Sequence, residues 1–151
     1  MTYTLHYAPD NASLIVRVVL LELGLLFETR LVDRQNREQR SADYLRLNPN
    51  GLIPVLETPD GTIFETAAII LWLADRHEAL APALQDRERA RFIKWLFWLS
   101  NTLHPALRML FYPEKYIDAE AVATNALRQT QKQTLLSLLD LIEKAMQTDP
   151  V

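Results

Sequence analysis

The chain contains no cysteine, which excludes a disulfide framework, a thiolate metal cluster and a cysteine nucleophile of its own. Any thiol chemistry must come from a bound molecule. There is no basic excess either: 16 Lys and Arg against 19 Asp and Glu give a formal net charge of -3, without the basic stripe that marks nucleic-acid binding. No uncharged apolar run reaches the ~18 residues of a membrane span, and the start "MTYTLHYAPD" lacks the basic residues and apolar stretch of a signal peptide. Repeats and low-complexity tracts are absent too. The expectation is a cytoplasmic protein with no nucleic-acid or membrane partner, acting on a small ligand. Apolar residues are plentiful, at 49% of 151, enough for the core of one ordinary domain or two small ones sharing an interface.

Tyr3 to Tyr7 has strand composition and ends at the turn and capping cluster Ala8-Pro9-Asp10-Asn11. "SLIVRVVLLEL", Ser13 to Leu23, follows; it is apolar nearly all round, as suits a helix buried against a sheet, with Gly24 where a C-terminal cap belongs. Its β-branched residues favour a strand, but caps and length decide for a helix. Phe27 to Val32 then predicts a second strand, parallel to the first across a right-handed βαβ unit. The polar stretch from Arg34 to Arg46 predicts a loop and a short helix anchored by Tyr44, Leu45 and Leu47.

Ile53 to Glu57 and Thr62 to Phe64 are short apolar runs joined by Thr58-Pro59-Asp60-Gly61, a hairpin signal. Pro54 is out of place in the first of them, because proline cannot donate to a ladder. A helix from Thr66 to about Arg76 carries Ala67, Ile70, Leu71 and Ala74 at helical spacing. The fold class is thus α/β: βαβ followed by ββα on one mixed four-stranded sheet. Beyond a linker at residues 78–86 the pattern is all helical. Phe92, Trp95, Leu96, Leu99 and Leu103 form one stripe between Arg89 and Tyr112, and Leu135, Leu138, Leu139 and Ile142 another between Ala119 and Met146. Pro105 predicts a kink or break after His104.

The order βαβ, "NPNGLIPVLETPDG", "FETAAIILWLAD", then a linker into helices resembles the glutathione S-transferase superfamily over nearly the whole chain, among bacterial members closest to a beta-like or unclassified class. The resemblance implies a thioredoxin-like glutathione-binding domain at residues 1–77, the 78–86 linker, and a partial all-helical domain at 87–151. In family members the chain continues for several more helices. The 151-residue sequence is therefore expected to be either a fragment or a trimmed form whose last helix exposes apolar surface.

Further implications concern the site. Ile53-Pro54 would be a cis peptide, a geometry found at only ~5–6% of X-Pro bonds, and the Ile53 backbone would pair with the cysteinyl part of glutathione. Glu65 and Thr66 would hold the γ-glutamyl end. That end carries an ammonium and a carboxylate; Glu65 offers an acceptor, and Thr66, opening a helix, offers unpaired N–H groups at a positive dipole end. Without the resemblance, Thr66 reads as a helix cap and Glu65 as its dipole partner.

The reaction implied is attack by the glutathione thiolate on an electrophilic small molecule, with glutathione as co-substrate, no metal, and the protein acting as a homodimer in detoxification. A free thiol titrates near ~8.5. Lowering that by about two needs ~2.7 kcal/mol, within reach of one charge-assisted hydrogen bond of ~1.5–3 kcal/mol and a helix N-terminus of ~0.3–2 kcal/mol. Matching Pro9, Ser13 and Gly24 to beta-class enzymes puts Ala12 at their catalytic cysteine and Ser13 at the serine that follows it. "YTLHYAP" also resembles the first strand of tyrosine-type classes, with Tyr7 at their catalytic tyrosine. The candidate donors are Ser13, then Tyr7, then Asn11; Asp10 would repel a thiolate and is treated as a cap. His104 is a fourth candidate, because "LHPALRMLFYP" resembles the beta-class segment whose histidine faces the thiol. Leu52 cannot bind the glycine carboxylate through its side chain, leaving Arg34, Arg37 or Arg40 to compensate. Arg108, Tyr112 and Tyr116 are candidates for the second-substrate site. The competing reading is a non-catalytic binding or assembly module of the same fold, motivated by Ala12, Leu52 and the early stop.

Overall fold

The computed structural model describes residues 2–118 and 121–148. Residues up to Phe92 form one compact unit and those from Ile93 a second. The first is built on a four-stranded sheet in the order β2-β1-β3-β4. β1 (Tyr3–Tyr7) and β2 (Phe27–Leu31) are parallel, joined through α1 (Ser13–Glu22), and both β1/β3 and β3/β4 are antiparallel. This is the thioredoxin-like βαβ-ββα arrangement that the sequence predicts.

Successive side chains of β1 point to opposite faces, and both faces are covered, with Leu5 and His6 buried. Tyr3 and Leu5 join Leu56, α1 and α3 (Thr66–His77) in the main core with Val16, Val19, Leu20, Ile69 and Leu73. His6 sits on the opposite face, edge-on to Tyr44 of α2 (Ala42–Leu47), beside a smaller cluster of Val32, Tyr44 and Val55. α1 departs from the all-round burial predicted for it. Only one side meets the core, leaving Leu14 65% and Leu21 59% exposed.

Two punctuation signals act as their residue types require. Gly24, at φ +65°, ends α1 in a Schellman motif: its N–H donates to Leu21 O at 2.9 Å and the Leu25 N–H to Leu20 O at 3.1 Å. In the hairpin the Thr58 hydroxyl donates to Gly61 O at 2.8 Å and accepts from the Asp60 N–H at 3.1 Å. β3 (Val55–Thr58) starts two residues later than Ile53 and β4 (Gly61–Phe64) one residue before Thr62. Pro54 therefore precedes the ladder, and its missing N–H costs no strand bond.

The first unit continues through residues 78–86, which fold back against α3. Arg89, 8% exposed, donates to Asp75 on α3 at 2.9 Å and to the Pro82 carbonyl at 3.0 Å. α4 (Arg89–Trp98) leads into a π-helical turn at Leu99–Leu103 and then α5 (His104–Phe111). Of the kink or break expected at His104, the structure has a π turn just ahead of it and no interruption of the helix after it. The wider turn removes the clash between the Pro105 ring and the preceding carbonyls. Of the expected stripe, Leu99 is exposed whereas Leu103 is half-buried. α6 (Ala121–Thr148) buries Leu135 but exposes Leu139. The predicted start at Ala119 lies outside the described residues.

Candidate functional site

The strand register gathers three loops at one end of the sheet. His6 pairs with Val55, and Val55 with Phe64. The residues that follow β1, precede β3 and follow β4 must therefore lie side by side there. These are the Tyr7–Ser13 turn, Ile53-Pro54, and Glu65-Thr66. α1 and α3 both begin at this end with no acidic residue in the first turn, so two positive helix ends point toward the same region.

Ile53-Pro54 is a cis peptide. Ile53 is half-buried and outside the ladder, and its backbone N–H and C=O make no hydrogen bond among the described residues. Glu65 has φ 70° and ψ 115°, a conformation that a non-glycine residue adopts only when its surroundings impose it. Its side chain is exposed and makes no capping bond to the helix, while its carbonyl accepts the Ile69 N–H at 3.0 Å. The first-turn N–H groups from Thr66 onward have no intrahelical acceptor. A carboxylate acceptor thus stands beside open backbone donors, the combination that a zwitterionic γ-glutamyl group requires.

Each candidate donor in the Tyr7–Ser13 turn has its own surroundings. Ser13 is 2% exposed, and its hydroxyl donates to Ala8 O at 3.2 Å and accepts the Ala8 N–H at 3.4 Å. Its proton is committed to closing the turn. Tyr7 is half-buried and packs against the main core. Asn11 is half-buried; its Oδ1 accepts the Ser13 N–H at 3.0 Å and its backbone carbonyl the Leu14 N–H at 3.0 Å. Since the oxygen must face an N–H, the amino group is directed away from the helix. The Asn11 amino group makes no hydrogen bond among the described residues. Asp10, expected as a cap, instead takes a left-handed backbone at φ 49°, which aspartate tolerates better than most residues.

Of the arginines, Arg40 Nη1 donates to Asn50 O at 3.2 Å, Arg37 occupies a left-handed position at φ 58°, and Arg34 is partnered. Leu52 is exposed. In the second unit, His104 opens α5 and Arg108 follows four residues later, a spacing that puts the two on one helical face, while Tyr112 lies just past the helix end with a non-helical backbone. Tyr112 has Lys115 over its ring at 4.4 Å, and Tyr116 is exposed.

Sequence reasoning missed His6 and Glu57. The His6 imidazole is buried on β1 with Nε2 2.6 Å from Glu57 Oε1 on β3. The alternation of "YTLHY" was the available signal, since it turns His6 away from Tyr3 and Leu5. Tyr44 and Asn48 on the α2 side were likewise unassigned beyond Tyr44 as an apolar anchor.

A mixed four-stranded sheet with one end joining a proline loop to two helix N-termini is the thioredoxin-like arrangement. A family model for the glutathione S-transferase N-terminal domain matches residues 12–76. Glutathione S-transferase GST-4.5 of Xanthomonas campestris is 31% identical over 140 residues, covering 90% of this chain and 68% of that protein. Glutathione S-transferase F10 of Arabidopsis thaliana is 40% identical over 108 residues, 69% of this chain and 50% of its own length. Among solved structures, a glutathione transferase from Burkholderia graminis with two glutathione molecules bound per subunit has a TM-score of 0.84 at 27% identity, over 97% of this chain and 62% of that one. The glutathione transferase URE2P8 from Phanerochaete chrysosporium, with oxidized glutathione, has a TM-score of 0.86 over 96% of this chain and 67% of its own, and at 24% identity it attests the fold alone. The chain belongs to the glutathione S-transferase family. Its matches span about half to two thirds of the relatives' lengths.

Proposed function

We infer that the chain binds glutathione at this sheet end and that the whole protein conjugates the glutathione thiolate to electrophilic small molecules, as a cytoplasmic homodimer serving detoxification. The observation that carries the reading is the convergence, fixed by the His6–Val55–Phe64 register, of an unpaired Ile53 backbone, the Glu65-Thr66 helix start and the Asn11 amide. In functional terms residues 1–77 are the glutathione-binding domain, 78–86 the linker and 87–151 the helical part that shapes the second-substrate side.

The cysteinyl and γ-glutamyl parts of the tripeptide each have a partner. Ile53 N–H and C=O pair with the cysteinyl backbone, in the manner of an added strand. Glu65 accepts from the γ-glutamyl ammonium, and the first-turn N–H groups of α3 donate to its carboxylate. At the thiol, the Asn11 amino group donates to sulfur and the start of α1 favours negative charge there. Ser13 holds that turn in shape, Tyr7 is the second-choice donor and His104 a further candidate at the thiol, while Arg108, Tyr112 and Tyr116 serve the electrophile. The thiol loses its proton to solvent, the sulfur lone pair forms the new bond to the electrophilic carbon, and the leaving group departs with its bonding electrons.

A binding or assembly module without turnover is the competing reading, motivated by the apolar Ala12 and Leu52. Retention of the purified, folded chain on immobilised glutathione, followed by a conjugation assay with a general aromatic electrophile, separates the two. Retention with glutathione-dependent turnover supports the enzyme; retention without turnover supports the module; absence of both removes glutathione from the account.

A further inference from the structure

α2 presents two buried donors to a single acceptor. Tyr44 is 4% exposed, and Asn48, which caps the C-terminal end of the helix with an extended backbone, is 1% exposed. The Tyr44 hydroxyl and the Asn48 amino group each donate to the Leu52 carbonyl, both at 2.8 Å. Two donors fill both lone pairs of that oxygen. Asn48 also accepts the Asn50 N–H through its side-chain oxygen at 3.0 Å and the Gly51 N–H through its carbonyl at 2.9 Å. One asparagine therefore fixes three of the peptide units between residues 49 and 53. Gly51 closes the arrangement from the other side: at φ +61°, a Cβ there would lie 2.7 Å from Gln39 O and 2.9 Å from Arg40 Nη1.

The geometry of a trans peptide gives this anchoring its direction. In the Leu52–Ile53 unit, C=O and N–H point to opposite sides of the chain. With the Leu52 carbonyl turned into α2, the Ile53 N–H is aimed away from α2. We propose that Tyr44 and Asn48 are positioning residues for glutathione: by holding the Leu52 carbonyl they aim the Ile53 N–H at the cysteinyl carbonyl of the bound tripeptide. The assignment rests on the proposed glutathione reading. Burial, with a smaller effect of Glu38, pushes the Tyr44 hydroxyl above the usual tyrosine range, so it stays a donor through neutral and alkaline pH. The His6 ring, 6.0 Å from that of Tyr44 and held by Glu57, supports the tyrosine from the sheet.

The test compares Tyr44→Phe, Tyr44→Phe/Asn48→Asp and a control, Leu47→Ala, in the full 151-residue chain. Tyr44→Phe keeps the ring and removes only the donor. The control weakens the packing of the same helix without touching either donor. Reduced glutathione is titrated calorimetrically well below each unfolding midpoint, and the Ile53 amide resonance is followed during the titration. Loss of one neutral donor is expected to weaken binding about 3- to 10-fold, and the double variant should lose at least ~30-fold, with a smaller Ile53 amide shift at saturation. Leu47→Ala should bind within about twofold of the unsubstituted chain. Unchanged affinity in Tyr44→Phe and the double variant, or an equal loss in Leu47→Ala, overturns the positioning role while leaving glutathione binding intact. Absence of binding by the unsubstituted chain overturns both readings.

Discussion

Replacing Asn11 by alanine separates two functions of one side chain, and the structure sets the size of each. Its Oδ1 bond to the Ser13 N–H, at 3.0 Å, caps the start of α1, and losing such a cap costs about 0.5–2 kcal/mol of stability. The amino group carries the proposed bond to the thiolate. A hydrogen bond to a charged group contributes about 1.5–3 kcal/mol, so its loss should raise the pKa of the bound thiol by about one to two at ~1.36 kcal/mol each. The thiolate fraction at neutral pH falls accordingly. Asn11→Asp sharpens the comparison, because it keeps an acceptor for the Ser13 N–H while removing the donor and adding a repelling charge. The assay is the ultraviolet absorbance of enzyme-bound thiolate against pH for the unsubstituted chain, Asn11→Ala, Asn11→Asp and Ser13→Ala. Both Asn11 variants should titrate at higher pH, Asn11→Asp furthest, whereas Ser13→Ala should lower the unfolding midpoint and leave the titration in place. Coincident titration of Asn11→Ala and the unsubstituted chain, or a shift confined to Ser13→Ala, refutes the assignment.

Asp75→Ala leaves the Arg89 guanidinium, already with an unsatisfied Nε, without its carboxylate. Because Asp75 keeps 36% of its side chain exposed, the loss should be about 2–3 kcal/mol, below the ~3–5 of a fully buried pair, as read by denaturant unfolding. Gly51→Ala must adopt φ near +61° against Gln39 O and should cost roughly 1–3 kcal/mol, with weaker glutathione binding in calorimetry because the Leu52 peptide moves. Asp33 accepts hydrogen bonds from Asn36 and Gln35, which hold its carboxyl below the ordinary 3.8. A depressed folded-state value stabilises the turn above the unfolded pKa, and that contribution disappears as pH falls through the folded one. The Asn36 amide resonance should therefore titrate with a midpoint under 3.8, and a midpoint above it would contradict the turn.

Much of the first unit was legible because its signals are local. Gly24 closes α1 through backbone freedom that few residues share, Asp60-Gly61 turns the hairpin, and Thr66 opens α3. Pro54 was legible as an anomaly, and its place just ahead of β3 resolves it. What escaped depends on neighbours distant in sequence. Ser13 looked like an available hydroxyl until Ala8, five residues earlier, was seen to occupy it. His6 has its partner at Glu57 and Tyr44, neither of which a strand pattern pairs with it. The π turn at Leu99–Leu103 is a local answer to Pro105, yet helical periodicity alone assumes an unbroken α-helix and so did not show it. At the proposed site, residue types suggested Glu65-Thr66 for the γ-glutamyl end, whereas ranking the proposed thiol donors draws on the hydrogen-bond partners of each candidate.

The most direct measurement is a crystal structure of this chain soaked with reduced glutathione. The account predicts the cysteinyl backbone paired with Ile53, the γ-glutamyl carboxylate on the first-turn N–H groups of α3 beside Glu65, and the sulfur within hydrogen-bonding reach of the Asn11 amino group. Glutathione bound away from this end of the sheet, or with its sulfur turned from Asn11 toward Ser13 or Tyr7, would contradict it.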